Sequence, residues 1–134
     1  TFLTKYFSLN IPKYKSGSVI NMLDAKLFGL NTDHYSYTLS KYALLGLTKT
    51  AALSYAPKLR VNGIAPGITL PNPKQKIEDF DRIREMNPLG NGAFLDEVFS
   101  AIKLLLFSQS ITGETIIIDG GAHLNPQIRD AAFL

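Results

Sequence analysis

The sequence contains no cysteine and no tryptophan among its 134 residues. Without cysteine, the chain cannot form disulfides, use a thiolate nucleophile or build a cysteine-type zinc site. Its two histidines, His34 and His123, lack the spacing of a local metal motif, so we predict no metal site. No apolar run reaches the ~20 residues that a membrane-spanning helix needs, and the first residues lack a signal-peptide layout. We therefore expect a cytoplasmic protein with no membrane partner.

Charged residues are scarce, at 19% of the chain, whereas hydrophobic residues make up 46%. That balance suits one domain with a real hydrophobic core. The net charge is +3, but the loop lysines form no continuous basic stripe: Lys13, Lys15, Lys74 and Lys76. A nucleic-acid-binding surface needs such a stripe, interleaved with aromatic side chains for stacking. We therefore predict no nucleic-acid partner.

Hydrophobic patterns and turn residues predict alternating helices and strands along the chain. The long helix has Asp33 as its predicted N-cap and Pro57 just past its end. Its apolar residues cover more than one stripe, which predicts burial on two sides. The predicted elements are a helix ending near Leu9, strands over Ser18–Leu23, Leu59–Ala65 and Thr115–Asp119, helices over His34–Ala56, Ile77–Met86 and Leu95–Phe107, a loop over Ile68–Pro73 and an irregular tail from His123.

This alternation predicts an α/β fold with a parallel, doubly wound sheet of the Rossmann type. Such dinucleotide-binding sheets usually have six strands and a glycine-rich phosphate loop after the first. Only three strands are predicted here, and no Gly-x-Gly-x-x-Gly is present, since Gly90-Asn91-Gly92 follows a helix rather than a strand. We expect residues 1–134 to be the C-terminal half of the fold, without the phosphate-binding half. One apolar strand would then lack a neighbour.

The pair Tyr37 and Lys41 carries the first chemical signal. Four positions apart on a helix, the two side chains project from one face. A phenol with a pKa of ~10 is a poor proton donor at neutral pH, but a nearby ammonium favours its ionised form. The pair could therefore act as a tuned general acid. By itself such spacing more often marks an exposed helix surface, so the surroundings decide.

The surroundings consist of three blocks in a fixed order. Tyr37 to Lys49 resembles the active-site helix of the short-chain dehydrogenase/reductase family. Leu59 to Gly67 resembles the family's next strand and its Pro-Gly loop. Ile111 to Glu114, with Ile118 to Gly121, is similar to the family's last strand and its exit. The resemblance covers roughly residues 17 to 124, and it implies an oxidoreductase that transfers hydride from a nicotinamide cofactor.

One position departs from the general family pattern. The family's usual serine lies thirteen positions before the tyrosine, where this chain has Asp24. An aspartate here resembles the pteridine reductase branch, in which it works with the tyrosine and the lysine. A carboxylate at the end of a strand could bond a pterin's amino and ring nitrogens, or relay a proton. The simpler alternatives are that Asp24 caps the following loop or helix, or that the site is degenerate.

The resemblance also assigns a cofactor and partners. Tyr37 and Lys41 would contact the cofactor, and the loop after the second strand would receive its nicotinamide end: Pro66, Gly67, Ile68 and Thr69. Leu70 would begin the substrate lid, which extends to Ile83, and would join Asp24 and Tyr37 in binding substrate. The branch implies NADPH, and less readily NADH. The long helix matches the family's dimer helix and predicts a homo-oligomer, a dimer or tetramer, completed by the N-terminal half.

These expectations converge on a reductase of a pteridine-like C=N bond. The alternatives are a ketone or 3-oxoacyl reductase of the same family, because Asp24 alone separates the substrate classes, and a truncated, non-catalytic remnant or subunit. We expect the 134-residue chain by itself to be inactive.

Overall fold

The computed structural model describes residues 2–71, 73 and 76–133, and for residue 132 it describes the backbone alone. Its helices are α1 (Phe2–Asn10), α2 (Tyr35–Tyr55), α3 (Ile77–Glu85) and α4 (Leu95–Phe107), and its strands are β1 (Gly17–Met22), β2 (Leu59–Pro66) and β3 (Thr115–Ile118). Each predicted element is found within two residues of its expected bounds. Thr1, and three positions within the predicted lid, Asn72, Lys74 and Gln75, lie outside the described residues.

The three strands form one parallel sheet in the order β1-β2-β3. β2 is the central strand, and five consecutive residues, Val61–Ala65, are buried. Such a continuous buried run is typical of a strand covered on both faces, and its one polar member, Asn62, is hydrogen-bonded to the backbone of Ile111 and Glu114. β1 and β3 are shorter and only half-buried. The predicted parallel α/β architecture is confirmed.

Helices cover opposite faces of this sheet. Alternate residues of a strand point to opposite sides, and here Val61 packs with Ala51 and Ala52 of α2, whereas Ile64 packs with Val98 and Leu105 of α4. A further cluster at the carboxyl end of the sheet joins the loop after β1 to α2. The carboxyl ends of β1 and β2 are therefore held beside α2.

One prediction about α2 is wrong in detail. His34, not Asp33, occupies the N-cap, in a left-handed conformation with φ of 56° and without a side-chain cap. The Asp33 carboxylate instead accepts hydrogen bonds from the C-terminal tail. The sheet buries one side of the helix, whereas Leu39 and Leu53 are 51% and 83% exposed in the single chain, so burial of a second side stays a prediction. Its second apolar face is open in the single chain.

None of the described helices combines the length and the apolar character needed to cross a bilayer.

Candidate active site

The site begins where β1 ends. Leu23 donates its backbone N–H to Ile64 of β2, which extends the strand pairing by one residue. Asp24 follows in an extended conformation and caps a short 3-10 helix, Ala25–Leu27. Its Oδ1 accepts the backbone N–H of Lys26 at 2.8 Å. The capping role considered for Asp24 is therefore real, and it uses one carboxylate oxygen.

The other oxygen of Asp24 meets the active-site helix. Tyr37, in the first turn of α2, donates its phenolic hydrogen to Asp24 Oδ2 at 2.5 Å. This distance lies at the short end of the range for a hydroxyl bonded to a carboxylate. Asp24 thus caps the turn and binds the tyrosine at once. Two residues that the sequence placed thirteen positions apart are in direct contact.

Lys41 lies one turn further along α2. Its Nζ donates to the backbone carbonyl of Met22 at 2.9 Å and to that of Leu23 at 3.4 Å. It stands 5.5 Å from the centre of the Tyr37 ring. The ammonium therefore ties α2 to the end of β1 and lies beside the ring, while the hydroxyl reaches the carboxylate.

The electrostatics of Tyr37 differ from our expectation. We expected Lys41 to lower the pKa of the phenol. The pKa of Tyr37 is instead raised, first by burial of the hydroxyl and then by the hydrogen bond and negative charge of Asp24, with a smaller contribution from Asp130. A neighbouring carboxylate opposes formation of a phenolate, and Asp24 is closer to the hydroxyl than Lys41 is. Tyr37 is therefore a weaker acid than a free phenol, and at neutral pH both keep the proton.

The loop after β2 forms the next wall. Gly67 donates its N–H to Ile118 of β3, and a Cβ added at Gly67 would come within 2.7 Å of the Asp119 Cβ. Only glycine allows this close approach. The Thr69 hydroxyl donates to the Gly67 carbonyl at 2.9 Å, which holds the loop in a tight turn.

These elements border an open cleft of about 890 Å³. Asp24 and Tyr37 line it from one side, and Gly67, Ile68, Thr69 and Leu70 line it from the other. The volume lies within the ordinary range for small-molecule sites. Of the predicted site residues, Lys41 and Pro66 do not line the cleft, because Lys41 binds strand carbonyls and Pro66 is the last residue of β2.

The tail is the main feature that sequence reasoning missed. Tail residues between Asn125 and Ala131 also line the cleft. Asp130 pairs with Lys26 at 2.9 Å, Arg129 pairs with Asp33 at 2.9 Å, and the Phe133 ring stacks on His34 at 5.4 Å. The tail has no hydrophobic period, and its one pair of adjacent charges, Arg129-Asp130, does not reveal its distant partners in the sequence.

His123 and Asp119 were missed as well. His123 lines the cleft, and its Nδ1 lies 2.8 Å from a carboxylate oxygen of the buried Asp119. His123 was considered only as a metal ligand. Among the described residues, no group of three or more histidine and acidic side chains could hold a metal ion.

The chain is similar to known proteins along nearly its whole length. A family profile described as Enoyl-(Acyl carrier protein) reductase matches residues 2–123. A 1,2-dihydroxy-1,2-dihydronaphthalene dehydrogenase of Ralstonia sp. is 33% identical, over 87% of this chain and 52% of its own length. A 3-oxoacyl-[acyl-carrier-protein] reductase of Rattus norvegicus is 31% identical, over 92% of this chain and 52% of its own.

Solved structures give the same result. FolM Alternative dihydrofolate reductase 1 from Brucella suis, in complex with NADP, superposes with a TM-score of 0.89 at 40% identity, over 94% of this chain and 51% of that one. The aldohexose dehydrogenase of Thermoplasma acidophilum, in ligand-free form, superposes with a TM-score of 0.73 at 27% identity, over 88% of this chain and 52% of that one. The chain thus spans about half the length of the relatives that it matches. It belongs to the short-chain dehydrogenase/reductase family.

Proposed function

We propose that this chain is the catalytic half of an NADPH-dependent reductase whose substrate is a pteridine-like C=N compound. The observation that carries the proposal is the 2.5 Å hydrogen bond from Tyr37 to Asp24 at the mouth of the cleft. A carboxylate beside the tyrosine distinguishes this site from one with a serine, because its two oxygens can accept hydrogen bonds from several N–H groups. The similarity to a FolM alternative dihydrofolate reductase, described in complex with NADP, supports both substrate class and cofactor.

The residues present fit a dinucleotide at the carboxyl ends of the strands, which is where ligands bind parallel α/β sheets. The loop Gly67–Thr69 lines the cleft, and Gly67 packs directly against Asp119, where no side chain at position 67 would fit. These residues would hold the nicotinamide end, and Tyr37 and Lys41 its ribose. The cofactor, when bound, supplies the hydride. The phosphates would belong to an N-terminal half of the enzyme, which we infer acts together with this chain.

The chain's own groups handle the proton. Tyr37 carries this proton at neutral pH, as a phenol does at its ordinary pKa of ~10. Because burial and Asp24 raise its pKa further, the hydroxyl gives up the proton only to a strongly basic atom. When hydride adds to the carbon of the C=N bond, the electron pair of that bond moves to the nitrogen. The nitrogen then becomes basic enough to take this proton. Asp24 orients the substrate by accepting hydrogen bonds from the substrate's N–H groups, or relays a proton from solvent water to the Tyr37 phenolate afterwards. Lys41 keeps α2 in position against the end of β1.

A ketone or 3-oxoacyl thioester is the second candidate substrate. The rat relative is a 3-oxoacyl reductase by its name. Tyr37 could protonate a carbonyl oxygen as readily as a nitrogen. The Asp24 carboxylate, however, could form no hydrogen bond with a carbonyl oxygen, because both groups are acceptors. Asp24 is therefore the residue to test.

The test compares three variants of the full-length enzyme on dihydrofolate and on a 3-oxoacyl thioester. Tyr37→Phe should lose about 100-fold or more in kcat/KM on whichever compound is reduced. Tyr35→Phe, with an exposed side chain at the start of the same helix, is the matched control and should remain active. Asp24→Ser should lose about tenfold or more on dihydrofolate, because a hydrogen bond to a charged group disappears. Undiminished reduction of dihydrofolate by Asp24→Ser would contradict the substrate class.

We also infer that the protein is a homo-oligomer. Leu39 and Leu53 of α2 are exposed, and Phe99 and Phe107 of α4 are 63% and 78% exposed. Large apolar side chains on two helices favour burial against another subunit. The expected cytoplasmic location stays a prediction.

A further inference from the structure

The pair Asp119 and His123 forms a built site beside the cleft. β3 ends at Ile118, and Asp119 follows it with only 3% of its surface exposed. Its carboxylate accepts the backbone N–H of Gly121 at 2.9 Å and that of His123 at 2.8 Å. The same carboxylate lies 2.8 Å from Nδ1 of His123. A buried carboxylate with these contacts is satisfied, and it fixes the imidazole.

The hydrogen bonds decide which nitrogen of His123 carries the proton. A carboxylate accepts hydrogen bonds and does not donate them, so Nδ1 carries the hydrogen in the neutral ring. Nε2 then presents a lone pair. Among the residues that the structure describes, Nε2 has no partner. The side chain is 26% exposed and lines the same cleft as Asp24 and Tyr37.

Two glycines hold this pair in place. A Cβ at Gly29 would come within 2.9 Å of the His123 Cα, and a Cβ at Gly67 would come within 2.7 Å of the Asp119 Cβ. The loops on both sides therefore pack directly against the pair. An imidazole fixed by its backbone, its neighbours and a buried carboxylate loses little conformational freedom when a ligand binds.

We propose that His123 is a substrate-binding residue, with Nε2 as a hydrogen-bond acceptor for an N–H group of the substrate and Asp119 as its positioning residue. This inference rests on the proposed function and narrows the ligand. Asp24 and His123 are both acceptors that line one cleft, so they suit a flat heterocycle with several N–H donors, such as an amino-substituted pyrimidine ring. A ketone or acyl thioester offers no N–H at its reacting end.

The simpler explanation is that the pair only stabilises the turn after β3. Two substitutions separate the roles. In His123→Asn, the amide nitrogen takes the place of Nδ1 and keeps the bond to Asp119, while the outer nitrogen is lost. In His123→Gln, the longer side chain places an amide near the outer position and loses the inner bond. A purely structural role requires the inner bond, and a substrate-binding role requires the outer group.

In the full-length enzyme, His123→Asn should raise KM for dihydrofolate about tenfold, the equivalent of one lost hydrogen bond, with kcat and the thermal midpoint little changed. His123→Gln should raise KM less and lower the thermal midpoint more. Neither variant should change KM for a 3-oxoacyl thioester, if that compound is also reduced. An unchanged KM for dihydrofolate in His123→Asn would overturn the inference, as would an equal rise for both substrates.

A second measurement does not depend on turnover. In a sample with ¹⁵N-labelled histidine, addition of pterin should shift the Nε2 resonance of His123 as its lone pair accepts a hydrogen bond, while Nδ1 changes little. An unmoved Nε2 resonance at saturating pterin would reject the inference. If the enzyme fails to reduce dihydrofolate but pterin still moves Nε2, the proposed reaction is wrong and the binding site stands.

Discussion

At the scale of single residues, Asp24 does two things at once. Sequence reasoning set its catalytic and capping roles against each other, since aspartate is common both at turns and in active sites. The side chain has two oxygens, and the structure uses one for the Lys26 N–H and the other for the Tyr37 hydroxyl. The spacing in the sequence predicted that Asp24 lies near Tyr37. It did not predict that one oxygen binds Lys26 and the other Tyr37, because that depends on the position of the 3-10 helix.

Asp24 also controls the acidity of Tyr37. Because its hydrogen bond and charge help raise the pKa of the phenol, Asp24→Asn should lower that pKa toward ~10, with burial keeping it somewhat higher. Titration of a ¹³Cζ-labelled tyrosine resonance measures this directly. Tyr37→Phe assigns the resonance, because its signal disappears in that variant. The Tyr42 resonance is the internal control, since Tyr42 donates to the Leu27 carbonyl and should titrate alike with and without the Asp24 carboxylate. A pKa unchanged in Asp24→Asn would contradict the electrostatic role.

The same shift has a consequence for stability. A pKa of Tyr37 that is higher in the folded than in the unfolded state favours folding as long as the phenol is protonated. The contribution is fully present below pH ~10, and it is lost as pH rises through the folded-state pKa.

His123 shows where residue-level prediction failed. Its sequence neighbourhood contains no second histidine or acidic pair at metal spacing, and a single histidine carries little information by itself. The buried carboxylate four residues earlier was assigned to the end of a strand, although β3 stops at Ile118. Only the turn made by Gly120 and Gly121, both at positive φ, brings His123 back onto Asp119.

At the scale of elements, periodic segments were predicted well and the tail was not. α4 has the predicted bounds, Leu95–Phe107, because its apolar spacing, acidic first turn and flanking loops agree. The tail lacks any repeating pattern, and its position depends on ion pairs with residues about a hundred positions earlier. Such long-range polar contacts leave no local mark in a sequence.

The anchoring of the tail is open to a protease experiment. Arg129 is itself a trypsin site, and its guanidinium binds the Asp33 carboxylate at 2.9 Å. Asp33→Ala should therefore speed cleavage after Arg129 several-fold, because one exposed ion pair contributes modestly. Asp79→Ala removes a carboxylate of α3 that pairs with Arg82, and serves as the control. Equal cleavage of wild type and Asp33→Ala would show that the tail is held by other contacts.

The tail should also respond to acid. The hydrogen bonds from Arg129 and Asp130 lower the pKa of Asp33. A carboxylate with a lowered pKa contributes stability above its unfolded-state pKa of ~3.9, and the contribution is lost as pH falls through the folded-state value. The tail therefore stays bound to Asp33 at neutral pH. We expect the amide chemical shift of Asp130, whose N–H donates to Asp33, to change only in strong acid, where Asp33 becomes protonated.

At the scale of the whole molecule, the sequence contains Asp24, Tyr37 and Lys41 but no Gly-x-Gly-x-x-Gly. We predict that the 134-residue chain alone binds NADPH weakly or not at all, because the pyrophosphate of a dinucleotide binds at a glycine-rich loop and helix N-terminus that these residues do not contain. Isothermal calorimetry measures this, with the full-length enzyme as the control. Micromolar affinity of the isolated chain would show that the cleft and Lys41 suffice.

The sheet itself offers a final consequence. Within the described residues, the outer edge of β1 has no paired strand, and its six residues are half-buried or exposed. A parallel edge of this kind can accept another strand through backbone hydrogen bonds alone. The outer edge of β1 is therefore the place where a separate N-terminal polypeptide could extend the sheet. The N-terminal half of a relative, produced as a separate polypeptide, should dock along β1 and restore reductase activity by fragment complementation.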